Sequence, residues 1–271
     1  MISIRTCQAV FAAALSAAGP LTAQTPTYEK ILIPVVVNES LPGAFGSSWT
    51  TDLWVQNRGP EPLEVAGIAW TCFLPECVSP PALTPGLTFR PKVLAAPDGL
   101  QGTFVHPVAG FADRLSFGLR FRDISRQSQT WGTELPAVRE RSFRSDKVSL
   151  IDIPLTAGFR QVLRIYELDA SEREASVRIR LYRITPDSGE PTGAPDPLLG
   201  QAIVGLRFPP LRVPDAHPGY AAVTDFSTIA PLGNAERVRL EIEPVTPGLR
   251  LWAFVTVVNN ETQHATVITP Q

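Results

Sequence analysis

The chain has 271 residues, with 24 lysines and arginines against 26 aspartates and glutamates, for a net charge of −2. This near-neutral balance gives no electrostatic reason to expect nucleic acid as a partner, since nucleic-acid binding selects for a basic face. Proline accounts for 27 residues, about twice the usual share. Prolines and glycines recur between short apolar runs, which is typical of strands joined by turns.

The N-terminus has the pattern of a secretory signal peptide. Arg5 is the only charge before an apolar run, Ala9–Ala18, and Ala23 is a small residue suited to precede a cleavage site. The run is too short to span a bilayer, which takes about 20 residues. We therefore predict a signal peptide at residues 1–23 and a secreted, periplasmic or surface-located mature protein without a membrane span. A buried N-terminal helix is the alternative.

Two cysteines remain after the predicted cleavage, Cys72 and Cys77, because Cys7 lies in the signal peptide. An even pair in an oxidising compartment favours a disulfide. Closing so short a loop would stabilise the fold by roughly 2 kcal/mol, because it restricts the entropy of the unfolded chain. A two-cysteine metal site would need two more ligands nearby, and no residue is spaced to supply them. We therefore predict a Cys72–Cys77 disulfide.

The chain next shows several short segments in which apolar residues alternate with polar ones. A period of two with β-branched and aromatic residues predicts strands, and many short strands at this spacing suggest sandwiches. No helical stretch is predicted after the signal peptide, so the fold class is all-β. The alternating apolar positions are Leu53 and Val55; Phe117, Leu119 and Phe121; Val177, Ile179 and Leu181; Leu240 and Ile242.

The two halves of the chain resemble each other in order and direction, which indicates an internal duplication. Three segment pairs align: Arg114–Leu135 with Arg250–Gln271, Trp49–Trp70 with Phe159–Leu181, and Ile31–Pro34 with Ile151–Pro154. We predict two β-sandwich domains, residues 24–140 and 145–271, with extra strands in an enlarged middle region of the second. Shared all-β periodicity is an alternative source of part of the likeness.

In this arrangement the chain resembles bacterial secreted proteins built from tandem immunoglobulin-like β-sandwiches. The resemblance covers about residues 25–271 and lacks the Cys…Trp…Cys core of antibody domains, because Cys72 and Cys77 are too close in sequence to join two sheets. It implies a non-catalytic scaffold, adhesion or binding protein with no cofactor and an unknown protein or glycan partner. It does not specify a ligand, because fold does not set function.

Three aromatic residues are the candidate ligand-binding groups. If Leu53 and Val55 face the core, Trp54 faces outwards, and by the same alternation Trp252 and Phe254 face outwards from the last long strand. Exposed aromatics on a sheet stack on sugar rings or anchor a partner, so a carbohydrate-binding module is the alternative function. These rings would instead be structural if they filled the contact between the domains, or if the two faces were swapped.

Catalytic patterns are weak. Asp215 and His217 share a proline-rich loop and could in principle bind a metal, so a metal-assisted hydrolase is the third hypothesis. It is the least favoured one, because an ordinary loop explains these residues more simply. Ser47 and Ser48 follow a glycine but precede no helix, so they do not form a nucleophile elbow. The two catalytic acids of a glycosidase are close in space but have no fixed spacing in sequence, so the sequence does not test for them.

Arginines also alternate with the core residues of two predicted strands. They either contact an acidic glycan or form a solvated sheet face that prevents edge-to-edge pairing. The arginines are Arg120 and Arg122 in the first half and Arg178 and Arg180 in the second.

Overall fold

The computed structural model describes residues 27–68, 80–93, 100–126, 131–169, 174–185, 195–208 and 215–270. This part of the chain is all-β, with antiparallel strand pairs. The helical segments it contains are short 3-10 turns: Ala44–Gly46, Ala112–Arg114, Ile124–Arg126, Glu140–Ser142 and Phe226–Thr228. Among these residues no helix is long and apolar enough to cross a membrane. The predicted signal peptide and both Cys72 and Cys77 lie outside the described residues.

The N-terminal half, defined here by strands β1–β10, forms two sheets with the orders β10-β1-β7-β4-β5 and β2-β3-β8-β9, and β6 pairs with β3. Its strands are β1 (Ile31–Ile33), β2 (Leu41–Pro42), β3 (Ser48–Asn57), β4 (Leu63–Ala66), β5 (Ala82–Leu83), β6 (Thr88–Phe89), β7 (Thr103–Pro107), β8 (Leu115–Asp123), β9 (Thr133–Leu135) and β10 (Val138–Arg139).

The C-terminal half, defined by strands β11–β18, also forms two sheets, with the orders β11-β16-β13-β14 and β15-β12-β17-β18. Its strands are β11 (Val148–Pro154), β12 (Phe159–Glu167), β13 (Ala175–Arg183), β14 (Leu198–Leu206), β15 (Gly219–Val223), β16 (Arg237–Pro244), β17 (Leu251–Asn259) and β18 (Ala265–Ile268).

Alternation along the strands explains the core of the C-terminal half. In β13, Val177, Ile179 and Leu181 are fully buried, while the residues between them are partly exposed. These side chains join one apolar cluster with residues from the opposite sheet, such as Leu163 of β12 and Val255 of β17. Two antiparallel sheets with their inner faces in one cluster are consistent with a β-sandwich.

The two halves follow the same strand order. Taken in order along the chain, β1 and β3–β9 correspond to β11–β18. With this correspondence, the sheet order β1-β7-β4-β5 matches β11-β16-β13-β14. The order β6-β3-β8-β9 likewise matches β15-β12-β17-β18. The register agrees as well, because Leu53 lies opposite Leu119 and the aligned Leu163 lies opposite Val255.

The middle region of the second half, where extra strands were expected, holds β14 and β15. The strands found there, β14 and β15, take the places of β5 and β6 in the sheet order. Of these, β14 is longer than its counterpart, with 9 residues where β5 has 2.

Candidate functional site

Trp54 lies on the outer face of the N-terminal half. Leu53 and Val55 are buried on the inner side of β3, and Trp54 between them is 44% exposed, which is the orientation that strand alternation predicts. Its cross-strand neighbour on β8 is Gly118. Because glycine has no side chain, the surface beside the indole is left open on that side.

Charged groups surround the Trp54 ring. The guanidinium of Arg90 lies 5.5 Å from the centre of the indole, within cation–π range. Asp52 lies two residues before Trp54 and therefore on the same face of β3. It forms ion pairs with Arg90 and with Arg122 of β8, and the Arg122 Nε–Asp52 Oδ2 distance is 2.9 Å. Asp52 therefore links an arginine of β8 with the arginine beside the Trp54 ring.

A second exposed tryptophan, Trp131, lies over the same sheet. It is 73% exposed, and the guanidinium of Arg120 lies 4.8 Å from its ring. Arg120 is the cross-strand neighbour of Asp52 and also binds Glu134 of β9 at 2.8 Å. We call this surface the tryptophan face: Asp52, Trp54, Arg90, Arg120, Arg122, Trp131 and Glu134.

An open cleft of about 890 Å³ lies on the Leu53 side of β3, opposite the Trp54 side, and shares Arg90 with the tryptophan face. Apolar side chains such as Leu53 and Val93 form its floor, and Glu39, Arg90 and Lys92 stand on its rim. An apolar floor with a few polar groups is typical of ligand sites. We call it the edge cleft; Arg90 belongs both to it and to the tryptophan face.

Trp252 and Phe254 face outwards from the C-terminal sandwich, but solvent does not reach them. Trp252 is 5% and Phe254 0% exposed, because the N-terminal half covers this side of β17. Their rings pack with that of Tyr166, at 6.0 and 6.1 Å between centres, and Tyr166 Oη donates to the carbonyl of Pro34 at 2.5 Å. The expectation of an exposed row is therefore corrected: these two rings fill the contact between the halves.

Asp215 and His217 also lie in this contact. Asp215 Oδ1 accepts from Lys30 Nζ at 2.8 Å, and His217 Nδ1 lies 3.0 Å from the carbonyl oxygen of Gly102. No group of three or more potential metal-binding side chains occurs in the described part of the chain. Asp215 and His217 therefore both bind groups of the N-terminal half.

His106 belongs to the same polar contact. The residue is buried, and its Nε2 lies 3.0 Å from the carbonyl oxygen of Asp215. Burial lowers the pKa of His106 below its ordinary value; the bond to Asp215 opposes this shift and the charge of Lys30 adds to it. Burial therefore favours the neutral form of this imidazole.

Arg178 and Arg180 bind a carboxylate of their own sheet. Their Nη1 atoms lie 2.6 and 2.8 Å from the two carboxylate oxygens of Glu243 on β16. Hydrogen bonds from Arg178 and then Arg180 hold the pKa of Glu243 below its usual range. This arrangement fits a solvated sheet face better than an open site for an acidic glycan.

A second cavity, of about 450 Å³, lies near the junction of the halves and is lined by Arg141, Arg144 and Lys147 among others. Its cations bind nearby acids: Arg144 Nη2 lies 2.8 Å from Asp146, and Lys147 Nζ lies 2.9 Å from Glu241. The tryptophan face with its cleft is therefore the better candidate. Trp131 was missed in the sequence because it stands outside any alternating run.

Comparison with known proteins adds no assignment: the chain matches no protein family, no curated protein and no solved structure.

Proposed function

We propose that this chain is an exported, non-catalytic binding protein made of two tandem immunoglobulin-like β-sandwiches. Its ligand surface is the tryptophan face with the edge cleft. The observation that carries the proposal is the pair of exposed indoles, Trp54 and Trp131, each beside an arginine on one sheet. Exposed tryptophans bury large areas on binding at low entropic cost.

The common strand order of the two halves supports the tandem arrangement, together with the shared register of Leu53 with Leu119 and Leu163 with Val255. The term immunoglobulin-like refers here to the sandwich architecture. In immunoglobulin domains the first strand neighbours the second, whereas here the first strand of each eight-strand set neighbours the sixth, as β1 does β7.

The contrast between equivalent faces supports placing the ligand on the N-terminal half. In the repeat alignment Gly118 corresponds to Phe254, and Trp54 corresponds to Arg164 of β12. The face that carries Phe254 is buried against the other half, while the face that carries Gly118 is open. One copy of the sheet thus serves for docking, and the other is free for a ligand.

Carbohydrate is the ligand class that these groups suit best. An indole ring stacks on the apolar face of a sugar ring, and the carboxylates and guanidiniums around Trp54 supply acceptors and donors for its hydroxyls. Asp52 and Glu134 lie among three arginines, so the face carries both signs of charge. We therefore expect recognition of neutral or mildly acidic glycans.

The test is a glycan-binding screen of the mature chain, followed by titration of any hit. Trp54→Ala and Trp131→Ala should each weaken binding at least tenfold, equal to about 1.4 kcal/mol, because each removes a stacking surface. Phe159→Ala is the matched control, since Phe159 is an exposed aromatic at the start of β12 in the other half.

Two results would contradict the proposal. If wild type binds no glycan, the ligand class is wrong. If it binds a glycan and both tryptophan variants bind as tightly as Phe159→Ala, the site lies elsewhere on the molecule.

A further inference from the structure

Strand β14 is an edge strand with no charged residue. It is the last strand of the order β11-β16-β13-β14, and its sequence is LLGQAIVGL. The pairing with β13 shifts register at Leu199, so the regularly paired stretch of β14 is Gly200–Leu206. Ile203, at the centre of this stretch, is 62% exposed.

The free edge of β14 has no backbone partner among the described residues: the hydrogen bonds of its regular stretch go to β13. A row of free N–H and C=O groups on a long uncharged strand is a ready template for another strand. Natural sheets usually blunt such edges with charges, prolines, bulges or a covering segment. Gly200–Leu206 contains no charge, proline or register shift, and no described strand pairs with its free edge.

The other edges of the C-terminal half are protected. In β11 the pairing is interrupted between Leu150 and Ile153, with Asp152 at φ 62°. The short β15 exchanges backbone hydrogen bonds with Arg207. In β18, the carbonyl of Ala265 accepts from Thr133 of the N-terminal half at 2.5 Å. The open edge of β14 therefore stands apart from its neighbours.

We propose that β14 pairs antiparallel with β14 of a second copy of this chain, with the two-fold axis at Ile203. Centring on Ile203 uses the whole regular stretch and sets the two exposed isoleucines directly opposite each other. The remaining pairs match small with large residues: Gly200 with Leu206, Gln201 with Gly205, and Ala202 with Val204. The strand is thus complementary to itself, as an isologous contact requires.

Charge also permits this pairing. The nine residues of β14 are uncharged, so no like charges meet across the new strand pair. On the adjacent strand, Arg178 and Arg180 lie beside Ile203 and Gln201, and Glu243 binds both arginines within the same copy. Two copies can approach without bringing free positive charges together.

The first test is the mass of the full mature chain in solution over a dilution series from micromolar to millimolar concentration. Wild type should form dimers as concentration rises. Ile203→Lys should stay monomeric, because two lysines would meet at the axis. Ile151→Lys is the matched control, since Ile151 is 45% exposed on the opposite edge strand, β11, of the same sheet; it should dimerise like wild type.

A second test fixes the register. Ile203→Cys should form an intermolecular disulfide on mild oxidation beyond any seen in wild type, because directly opposite residues lie within the Cα separation that a disulfide spans. Gln201→Cys should not, since residue 201 and its copy would lie four residues apart along the strands, about 14 Å. Both variants change exposed residues, so circular dichroism should show the wild-type fold.

The proposal is overturned if wild type remains monomeric at the highest concentration, or if Ile203→Lys dimerises like Ile151→Lys. It is also overturned if Gln201→Cys crosslinks as readily as Ile203→Cys. If a synthetic peptide with the β14 sequence slows amide exchange in β14 while the chain stays monomeric, the edge belongs to a partner strand instead of a second copy.

Discussion

His106 sits with Lys30, Asp215 and His217 in a polar group between the two halves. Lys30 Nζ binds Asp215 and also donates to the carbonyl of Leu168 at 3.2 Å. Buried polar groups of this kind must keep their partners, because leaving one unpaired costs about 1–3 kcal/mol. At the scale of single residues, the contact between the halves is therefore set by a few directional bonds.

The lowered pKa of His106 predicts a pH dependence of stability. The folded-state pKa lies below the ordinary value of 6.5, so the unfolded chain takes up the proton first as the pH falls. The free energy of unfolding therefore falls as the pH drops below 6.5, by at most about 1.4 kcal/mol per pH unit for this histidine. Above pH 6.5 the stability associated with neutral His106 is fully present.

Urea unfolding of wild type and His106→Gln between about pH 7.5 and 5.5 would measure this effect. The stability of His106→Gln should fall less steeply with decreasing pH than that of wild type. His264→Gln, which changes an exposed histidine, should keep the wild-type slope. Equal slopes for all three proteins would show that His106 does not set the dependence.

At the scale of elements, β7 starts where two chain segments cross closely. Gly102 precedes β7 with φ +76°, and a Cβ there would lie 2.7 Å from the carbonyl oxygen of Ile33 and 3.0 Å from that of Pro34. Its own carbonyl is bound by His217. The same glycine thus lets β7 begin beside β1 and offers a contact to the second half.

Gly102→Ala should lower the free energy of unfolding by about 3 kcal/mol, because left-handed strain adds to a backbone clash. Gly86→Ala is the matched control: Gly86 has φ +74° with nothing within 4 Å of an added Cβ, so only the strain of about 1–2 kcal/mol applies. Chemical denaturation measures both. Equal losses would mean that the close crossing at Gly102 relaxes without cost.

The strands were largely predictable because their code is local. Alternation located β3, β8, β13 and β16, and the repeat alignment paired Leu53 with Leu163, which occupy equivalent registers in the structure. The strands β5 and β6, of two residues each, leave no periodic signal. This is why β14 and β15 were expected to be additions instead of longer counterparts.

At the scale of the molecule, one apolar cluster runs through both halves. It contains core residues of the N-terminal half together with Tyr166, Leu168, Tyr220, Trp252 and Phe254 of the C-terminal half. Strand alternation correctly predicted that Trp252 and Phe254 face away from the core of their own half. Whether that face is exposed to solvent depends on a distant part of the chain. Such long-range docking is absent from any local pattern, so their burial could not be read from the sequence.

Phe254→Ala should destabilise the whole chain by about 3–5 kcal/mol, as expected for a buried phenylalanine. Trp54→Ala should change stability by about 1 kcal/mol or less, since it removes an exposed ring with one cation–π contact. Urea unfolding followed by fluorescence and circular dichroism compares the two. Similar losses for both variants would contradict the burial of Phe254 against the other half.

The docking of the two halves also limits how this protein can be divided. A fragment holding only the C-terminal half would carry Tyr166, Tyr220, Trp252 and Phe254 on an open sheet face, an apolar patch of the kind that promotes aggregation. Such a fragment would adhere to many ligands in a screen through rings that the intact chain hides. The halves repeat a common plan, yet they are not interchangeable building blocks, and recombining either one would first require a redesign of the face it shares.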